Sequence, residues 1–324
     1  MTTDSSQPGD SSQPGDSSQP GDSSQPGTRS PAGSALKPVE LTSWFDTHAR
    51  DLPWRATGTT GWGVLVSETM LQQTPVRRVQ PIWEEWMARW PRPSDLAAAS
   101  QAEVLRAWGK LGYPRRALRL HEAASAIATE HGDVVPADVD TLLGLPGIGT
   151  YTARAVAAFA YGRRAPVVDT NVRRVVARAV HGAGDAGNPS PKRDLADVDA
   201  LLPADDTTAA KMSAALMELG QTVCTVRSPA CESCPISHDC AWQHAGRPAY
   251  SGPPKKVQRF AGTDRQVRGL LLDVLRGAEG PVARERLDAV WSDAGQRDQC
   301  LDSLLTDGLM EQTQDGLFAL PGES

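Results

Sequence analysis

The sequence predicts an all-α protein: a long helical body carrying a metal-cluster loop, followed by a small appended domain of winged-helix type. Three observations predict it. From Pro38 to Trp242 apolar residues recur at helical spacing, with no convincing alternating strand. Four cysteines, Cys224, Cys231, Cys234 and Cys240, crowd one stretch, with six, two and five residues between them. Beyond a segment rich in Pro, Gly and Lys the helical pattern restarts and ends in a hairpin signal.

Residues 4–27 are four copies of Asp-Ser-Ser-Gln-Pro-Gly. A six-residue unit without an apolar side chain has nothing to stack or bury, so residues 1–36 are expected to be a disordered tail rather than a solenoid. The helical body then spans residues 37–245. Trp83, Trp86, Met87 and Trp90 mark one helix face, Val104, Leu105 and Trp108 a second, and Ala153, Val156, Ala157 and Ala160 a third. Ser94-Asp95-Leu96 and Asp138-Val139-Asp140 read as helix starts, with acidic groups at the positive end of the helix dipole.

Residues 246–262 read as a linker. In residues 263–324, Val267, Leu270, Leu271, Val274 and Leu275 mark an amphipathic helix. Leu287, Val290 and Trp291 suggest a second, and Cys300 to Leu305 a third, with Cys300 a core thiol. Asp315-Gly316 between two short apolar runs is a hairpin signal. Three helices and a hairpin give a winged-helix-like domain.

The chain has 324 residues and a net charge of −6, which on its face disfavours nucleic acid. The distribution reverses that. Residues 50–119 hold eleven Lys/Arg against six Asp/Glu, and residues 163–194 seven against three. The last 61 residues hold six against twelve. Binding to a phosphate backbone follows such local fields, not the total. No apolar run reaches the length of a membrane span. A long chain with few other cysteines and no signal peptide argues against a disulfide framework. The expectation is a monomer in a reducing cytoplasm.

Four thiolates this close imply a metal centre. Zinc sites usually set two close pairs on either side of a longer insert, whereas one C-x-x-C pair flanked by single cysteines suits a four-iron cubane; zinc stays the alternative. Leu145-Pro146-Gly147-Ile148-Gly149-Thr150, between two helical patterns, is either a tight αα turn or a hairpin whose amides and following helix N-terminus bind phosphate. Asp169, in Val167-Val168-Asp169-Thr170-Asn171, is either an N-cap or a functional carboxylate. Glu68, in Ser67-Glu68-Thr69-Met70-Leu71-Gln72-Gln73-Thr74, lies within an apolar stretch, where burial would raise its pKa. The alternative is a Glu on a polar helix face.

The cysteine spacing, the L-P-G-I-G hairpin and V-D-T-N together resemble the endonuclease III and adenine DNA glycosylase superfamily. The Ser67–Thr74 string is most similar to the adenine DNA glycosylase family. The resemblance covers roughly residues 38–245. It implies a two-lobed helix-hairpin-helix glycosylase with a 4Fe-4S cluster on Cys224, Cys231, Cys234 and Cys240. Its substrate would be double-stranded DNA with adenine opposite 8-oxoguanine or guanine, in a bacterial, nucleoid-associated setting. It also implies residue roles. Glu68 is the general acid that protonates adenine, and Asp169 the carboxylate that stabilises the sugar cation. Tyr151 and Asn171 position these groups. Arg55 sits near the base pocket and Glu218 touches the base. Gln73, Leu111 and Tyr113 wedge the duplex. Gly147, Gly149, Thr150 and Arg227 meet the phosphates.

Endonuclease III–type members have a lysine nucleophile where this chain has Tyr151, which implies a monofunctional enzyme. Three departures stand out. Thr170 replaces a frequent Gly, and Pro114 follows Tyr113 where a second aromatic is common. The helical, acidic C-terminal segment also stands where many relatives have a Nudix-like lesion reader. Its acidity makes it a poor DNA clamp, and a protein contact or a purely structural role suits it at least as well. Rival readings are a sibling enzyme excising another base and a catalytically silent iron–sulfur DNA-binding protein.

Overall fold

The structure, a computed structural model, describes residues 36–250, 252 and 260–324. The expected repeat tail, except Leu36, and much of the expected linker lie outside the described residues. Fifteen α-helices are described: α1 (Pro38–His48), α2 (Gly61–Leu71), α3 (Val76–Arg89), α4 (Pro93–Ala97), α5 (Gln101–Trp108), α6 (Arg115–Glu130), α7 (Val139–Gly144), α8 (Thr150–Tyr161), α9 (Thr170–Ala179), α10 (Pro191–Asp199), α11 (Asp206–Thr222), α12 (Ala241–His244), α13 (Asp264–Arg276), α14 (Arg284–Asp288) and α15 (Ala294–Thr306). Two short strands follow, β1 (Glu311–Gln312) and β2 (Phe318–Ala319).

Local chemistry sets the helix starts. Ser100 and Glu103 form a reciprocal capping box on α5, and Thr60, Asp138, Asp205 and Asp293 cap α2, α7, α11 and α15 with their side chains. α2 is buried from Trp62 to Met70, a helix apolar almost all round that runs through the middle of its lobe. Around it Trp86 meets Trp90 and Trp108 edge-on, with centroids 4.9 and 5.6 Å apart. Buried indoles need partners for their N–H groups: Trp62 and Trp83 donate to the Trp90 and Gly63 carbonyls at 3.0 and 2.8 Å.

The apolar residues form two cores. One gathers α2 to α8. The other gathers α1, α9, α10, α11 and the cysteine segment, with Leu36, expected in the tail, fully buried in it. α1 packs on α11, so the chain starts in the second lobe, builds the first, and returns. Met217 of α11 touches both cores. The junction faces α2 and α8 of one lobe toward α9 and α11 of the other.

In the C-terminal segment β1 and β2 pair antiparallel, Glu311 opposite Ala319, and Val282 bridges to Phe318. Helix, bridge, two helices and hairpin follow the winged-helix order. Its Val267, Leu271, Leu275, Leu287 and Leu304 join the core of the first lobe. The second helix is shorter than its apolar pattern suggested. It ends at Asp288, because Arg297 of α15 donates to the Asp288 and Trp291 carbonyls at 3.3 and 2.9 Å and leaves Val290 and Trp291 in a loop. No helix among the described residues is long and apolar enough to cross a membrane.

Candidate active site

Glu68 sits in the last turns of α2, 6% exposed. Tyr151, in the first turn of α8, donates its hydroxyl to Glu68 Oε2 at 2.9 Å. Burial pushes the Glu68 carboxyl up to about 7, and the nearby Asp169 charge adds to this, while the Tyr151 bond and the Arg55 charge pull the other way. The Tyr151 phenol is raised well above its ordinary value, mainly by burial and then by the Glu68 charge, so it stays a neutral donor.

Asp169 caps α9. Its Oδ1 accepts from the Asn171 and Val172 amides at 2.8 and 2.7 Å, and its Oδ2 accepts from Asn171 Nδ2 at 2.7 Å. The helix N-terminus thus fixes one oxygen and leaves the other to a single side-chain amide. Burial raises the Asp169 carboxyl despite these donors. Glu68 and Asp169 reach the junction from different lobes.

Glu218 lies on α11 with no exposed side-chain area, paired with Arg50 and Arg55. Arg50 Nε and Nη2 reach its two oxygens at 2.6 and 2.9 Å, and Arg55 Nη2 reaches Oε2 at 2.9 Å. The two arginines hold its pKa down against the opposing effect of burial. Contact of Glu218 with a base would require one of these arginines to give way.

Gln73 and Tyr113, expected in the wedge, both have left-handed backbone, at φ 56° and 48°. For side chains of this size that stores roughly 1–3 kcal/mol each, kept only where neighbours enforce it. Arg116 does so. Its guanidinium donates to the Thr69 and Met70 carbonyls at 2.6 and 3.1 Å, to Thr74 Oγ1 at 3.3 Å and to the Gly112 carbonyl at 3.0 Å, with the Tyr113 ring 5.7 Å away. Burial lowers its pKa to about 10. Leu111 is not at the surface as expected. It is 4% exposed, its side chain in the first core and its carbonyl accepting from Thr74 at 3.3 Å, so it anchors the loop that exposes Tyr113.

The hairpin after α7 turns at Gly147, φ 72°. A Cβ there would stand 2.5 Å from Arg119 Cβ. Gly147, Gly149 and Thr150 are exposed, and Gly149 is the N-cap of α8 without a capping side chain. The first amides of α8 are left for an anion.

Cys224, Cys231, Cys234 and Cys240 line one cavity with Val175, Leu219, Ile236 and Trp242. Four thiols around one cavity fit a cluster whose irons each take one thiolate. Arg178 Nη1 reaches Cys224 Sγ at 3.3 Å, and its guanidinium covers Trp242 at 4.7 Å. Arg174, 7% exposed, donates to the Cys224 carbonyl at 2.7 Å and to Asn171 Oδ1 at 2.8 Å. Asn171 holds Asp169, so one chain of hydrogen bonds joins the cysteine loop to the carboxylate. Arg227 is exposed on that loop. Arg50, Arg116 and Arg174 were missed on sequence; the visible signal for Arg174 and Arg178 is a pair four apart inside an otherwise apolar helix face.

Residues 66–193 match the HhH-GPD superfamily of base excision DNA repair proteins, and residues 224–240 match the iron–sulfur binding domain of endonuclease III. The chain is similar to the adenine DNA glycosylase of Mycolicibacterium smegmatis, 67% identical over 89% of this chain and 97% of that protein. It is also similar to the adenine DNA glycosylase of Mycobacterium tuberculosis, 62% identical over 89% of this chain and 94% of that protein. The solved structure of a thermostable thymine-DNA glycosylase superposes with a TM-score of 0.58 and 27% identity, covering 64% of this chain and 95% of that one.

Proposed function

The chain belongs to the adenine DNA glycosylase family, a base excision repair glycosylase with a 4Fe-4S cluster, and we propose that it removes adenine mispaired with 8-oxoguanine or guanine and leaves an abasic site. The observation that carries the chemistry is the Glu68–Tyr151 contact opposite Asp169. A carboxyl with a pKa of about 7 is half protonated near neutrality and suits a general acid.

Phosphates dock on the amides of Gly149 and Thr150 and on Arg227. Extrusion of adenine costs a few kcal/mol, offset by Gln73 and Tyr113 filling the stack. Glu68 gives its proton to adenine N7 as the C1′–N9 bond breaks and its electron pair leaves with the base. The sugar is left as an oxocarbenium-like cation, which the Asp169 carboxylate stabilises. Water then adds to C1′, and its proton returns to Glu68. Two carboxyls in separate roles, Glu68 as the acid and Asp169 held as carboxylate by the α9 amides and Asn171, are the division of labour of glycoside hydrolysis. Cys224, Cys231, Cys234 and Cys240 would hold the cluster, which would supply a rigid anchor for the loop carrying Arg227 and no redox step to the hydrolysis. Tyr151, a phenol without an amine, supports a monofunctional enzyme: no Schiff base forms, and the strand stays whole.

The test is a set of duplexes with adenine opposite 8-oxoguanine, adenine opposite guanine, and thymine opposite guanine. Strand scission after alkali should appear for the first two only, with intact strands before alkali. Excision of thymine in place of adenine would move the chain to the sibling activity. Borohydride trapping of the protein on DNA would contradict the monofunctional reading.

A further inference from the structure

The winged-helix segment holds twelve Asp/Glu against six Lys/Arg, and three of those acids are engaged with the body of the chain. Asp273 reaches Lys110 at 3.3 Å, Asp307 reaches Arg115 at 3.0 Å, and Glu323 pairs with Arg106. Arg106 also donates to the Ala278 carbonyl at 2.9 Å, and Arg276 donates back to the Leu105 carbonyl at 3.1 Å. The segment is thus fastened to α5 and to the start of α6. Those two helices flank the loop that ends in Tyr113.

Arg265, in the first turn of α13, donates Nη1 to the Tyr113 hydroxyl at 2.9 Å, and its guanidinium sits 5.5 Å over the exposed ring of Phe260. Two residues after Tyr113, Arg115 is held by Asp307, which Arg268 of the same α13 holds at 2.6 Å. Tyr113 is 43% exposed, so its ring has room to swing, yet α13 ties it at the tip and just past its base. The helix that a winged-helix fold would lay in a DNA groove is poorly placed for that use. Arg284 and Arg297 are both paired with Asp288 at 2.8 Å.

We propose that the C-terminal domain sets the duplex wedge: Arg265 is a positioning residue that holds the Tyr113 ring ready for insertion, so the domain acts on base extrusion and not on the chemistry at Glu68. This rests on the reading of Tyr113 as a stack filler. The physical gain is preorganisation. A tethered ring has fewer orientations to lose when DNA arrives.

The experiment uses full-length, cluster-loaded protein and a duplex with adenine opposite 8-oxoguanine and 2-aminopurine beside the adenine. The fluorescence rise reports unstacking, and single-turnover adenine release is followed in parallel. Arg265→Ala and Tyr113→Phe should each slow the fluorescence rise roughly three- to tenfold, the effect of losing one such hydrogen bond. Arg265→Lys should recover most of the rate. The double variant should be no slower than the slower single variant, and the pH profile of release should not move. Additive losses in the double variant would assign Arg265 to phosphate and overturn the proposal. So would normal kinetics for Arg265→Ala alongside slow kinetics for Tyr113→Ala. Normal kinetics for Tyr113→Ala would instead sink the wedge reading on which the proposal stands.

Discussion

The burial of Glu68 and its raised pKa have the same origin. The folded protein holds its proton up to about pH 7, whereas an unstructured glutamate releases it near 4.5. Between those values the folded state binds more proton than the unfolded one. The contribution of neutral Glu68 to stability is therefore full below about pH 4.5 and is lost as pH rises through 7, a loss of roughly 3 kcal/mol. Glu68→Gln should abolish adenine release while keeping mismatch affinity within about tenfold, because the amide keeps the shape and cannot give up a proton. It should also melt above wild type at pH 8 and lose that advantage at pH 5. Adenine release intact in this variant would remove Glu68 from the mechanism. Wild-type single-turnover release should fall about tenfold per pH unit above about 7. Tyr151→Phe removes the bond that pulls the Glu68 pKa down, so the falling limb should move to higher pH; a limb that moves to lower pH would contradict the assignment. Much at this scale was legible in the sequence. A glutamate amid Val64-Leu65-Val66 and Met70-Leu71 pointed toward burial, and the structure decides against the polar-face alternative at 6% exposure. Asp169 stayed ambiguous because a cap and a catalytic carboxylate leave the same local pattern, and only the fold brings Asp169 toward Glu68.

Elements were legible where their signal was local and blurred where a distant side chain decided them. The Leu145–Gly149 turn, the tryptophan face of α3 and the Asp-Gly hairpin each follow from a few neighbouring residues. The end of α14 depends on Arg297, the burial of Leu111 on how its loop folds back, and the clamp on Glu218 on Arg50, 168 residues away. No spacing rule carries such pairs. The hairpin offers the sharpest test. At Gly147 an added methyl would meet Arg119 at its Cβ, which cannot swing aside like a side-chain tip, and φ 72° disfavours any other residue. Gly147→Ala must shift the turn, and the amides of α8 with it. Duplex affinity should drop at least about tenfold and the slope of log K against log salt should shrink by about one, the mark of a lost phosphate contact. Fluorescence anisotropy at several salt concentrations measures both, and unchanged affinity would mean that the turn is only a connector.

At the scale of the whole chain, the charge total was a poor guide and its distribution a better one. The acid of the last domain was visible in the sequence, but not that Asp273, Asp307 and Glu323 would turn inward to Lys110, Arg115 and Arg106. These contacts are all with the first lobe, and the apolar residues of α13 join the core of that lobe only. The second lobe, with the cysteine loop, keeps a separate core. This asymmetry sets what truncation does. A chain ending at Gly262 leaves three basic side chains without partners and bares the face of α5 that α13 covers. The first lobe should melt roughly 5 °C lower. Trp54, Trp62, Trp83, Trp86, Trp90 and Trp108 lie in that core and only Trp44 and Trp242 pack against the other, so tryptophan fluorescence mainly reports the first lobe, while visible absorbance of the cluster reports the second. In the full chain the two transitions should coincide. In the truncated chain the fluorescence transition should come first and the cluster colour should persist beyond it. Release of adenine should survive, since Glu68, Tyr151 and Asp169 owe nothing to the missing segment, but unstacking should slow as it does without Arg265. If colour and fluorescence are lost together at a lower temperature, the domain braces both lobes and the separation of cores has no thermodynamic meaning; if neither transition moves, its docking onto α5 contributes nothing to the fold.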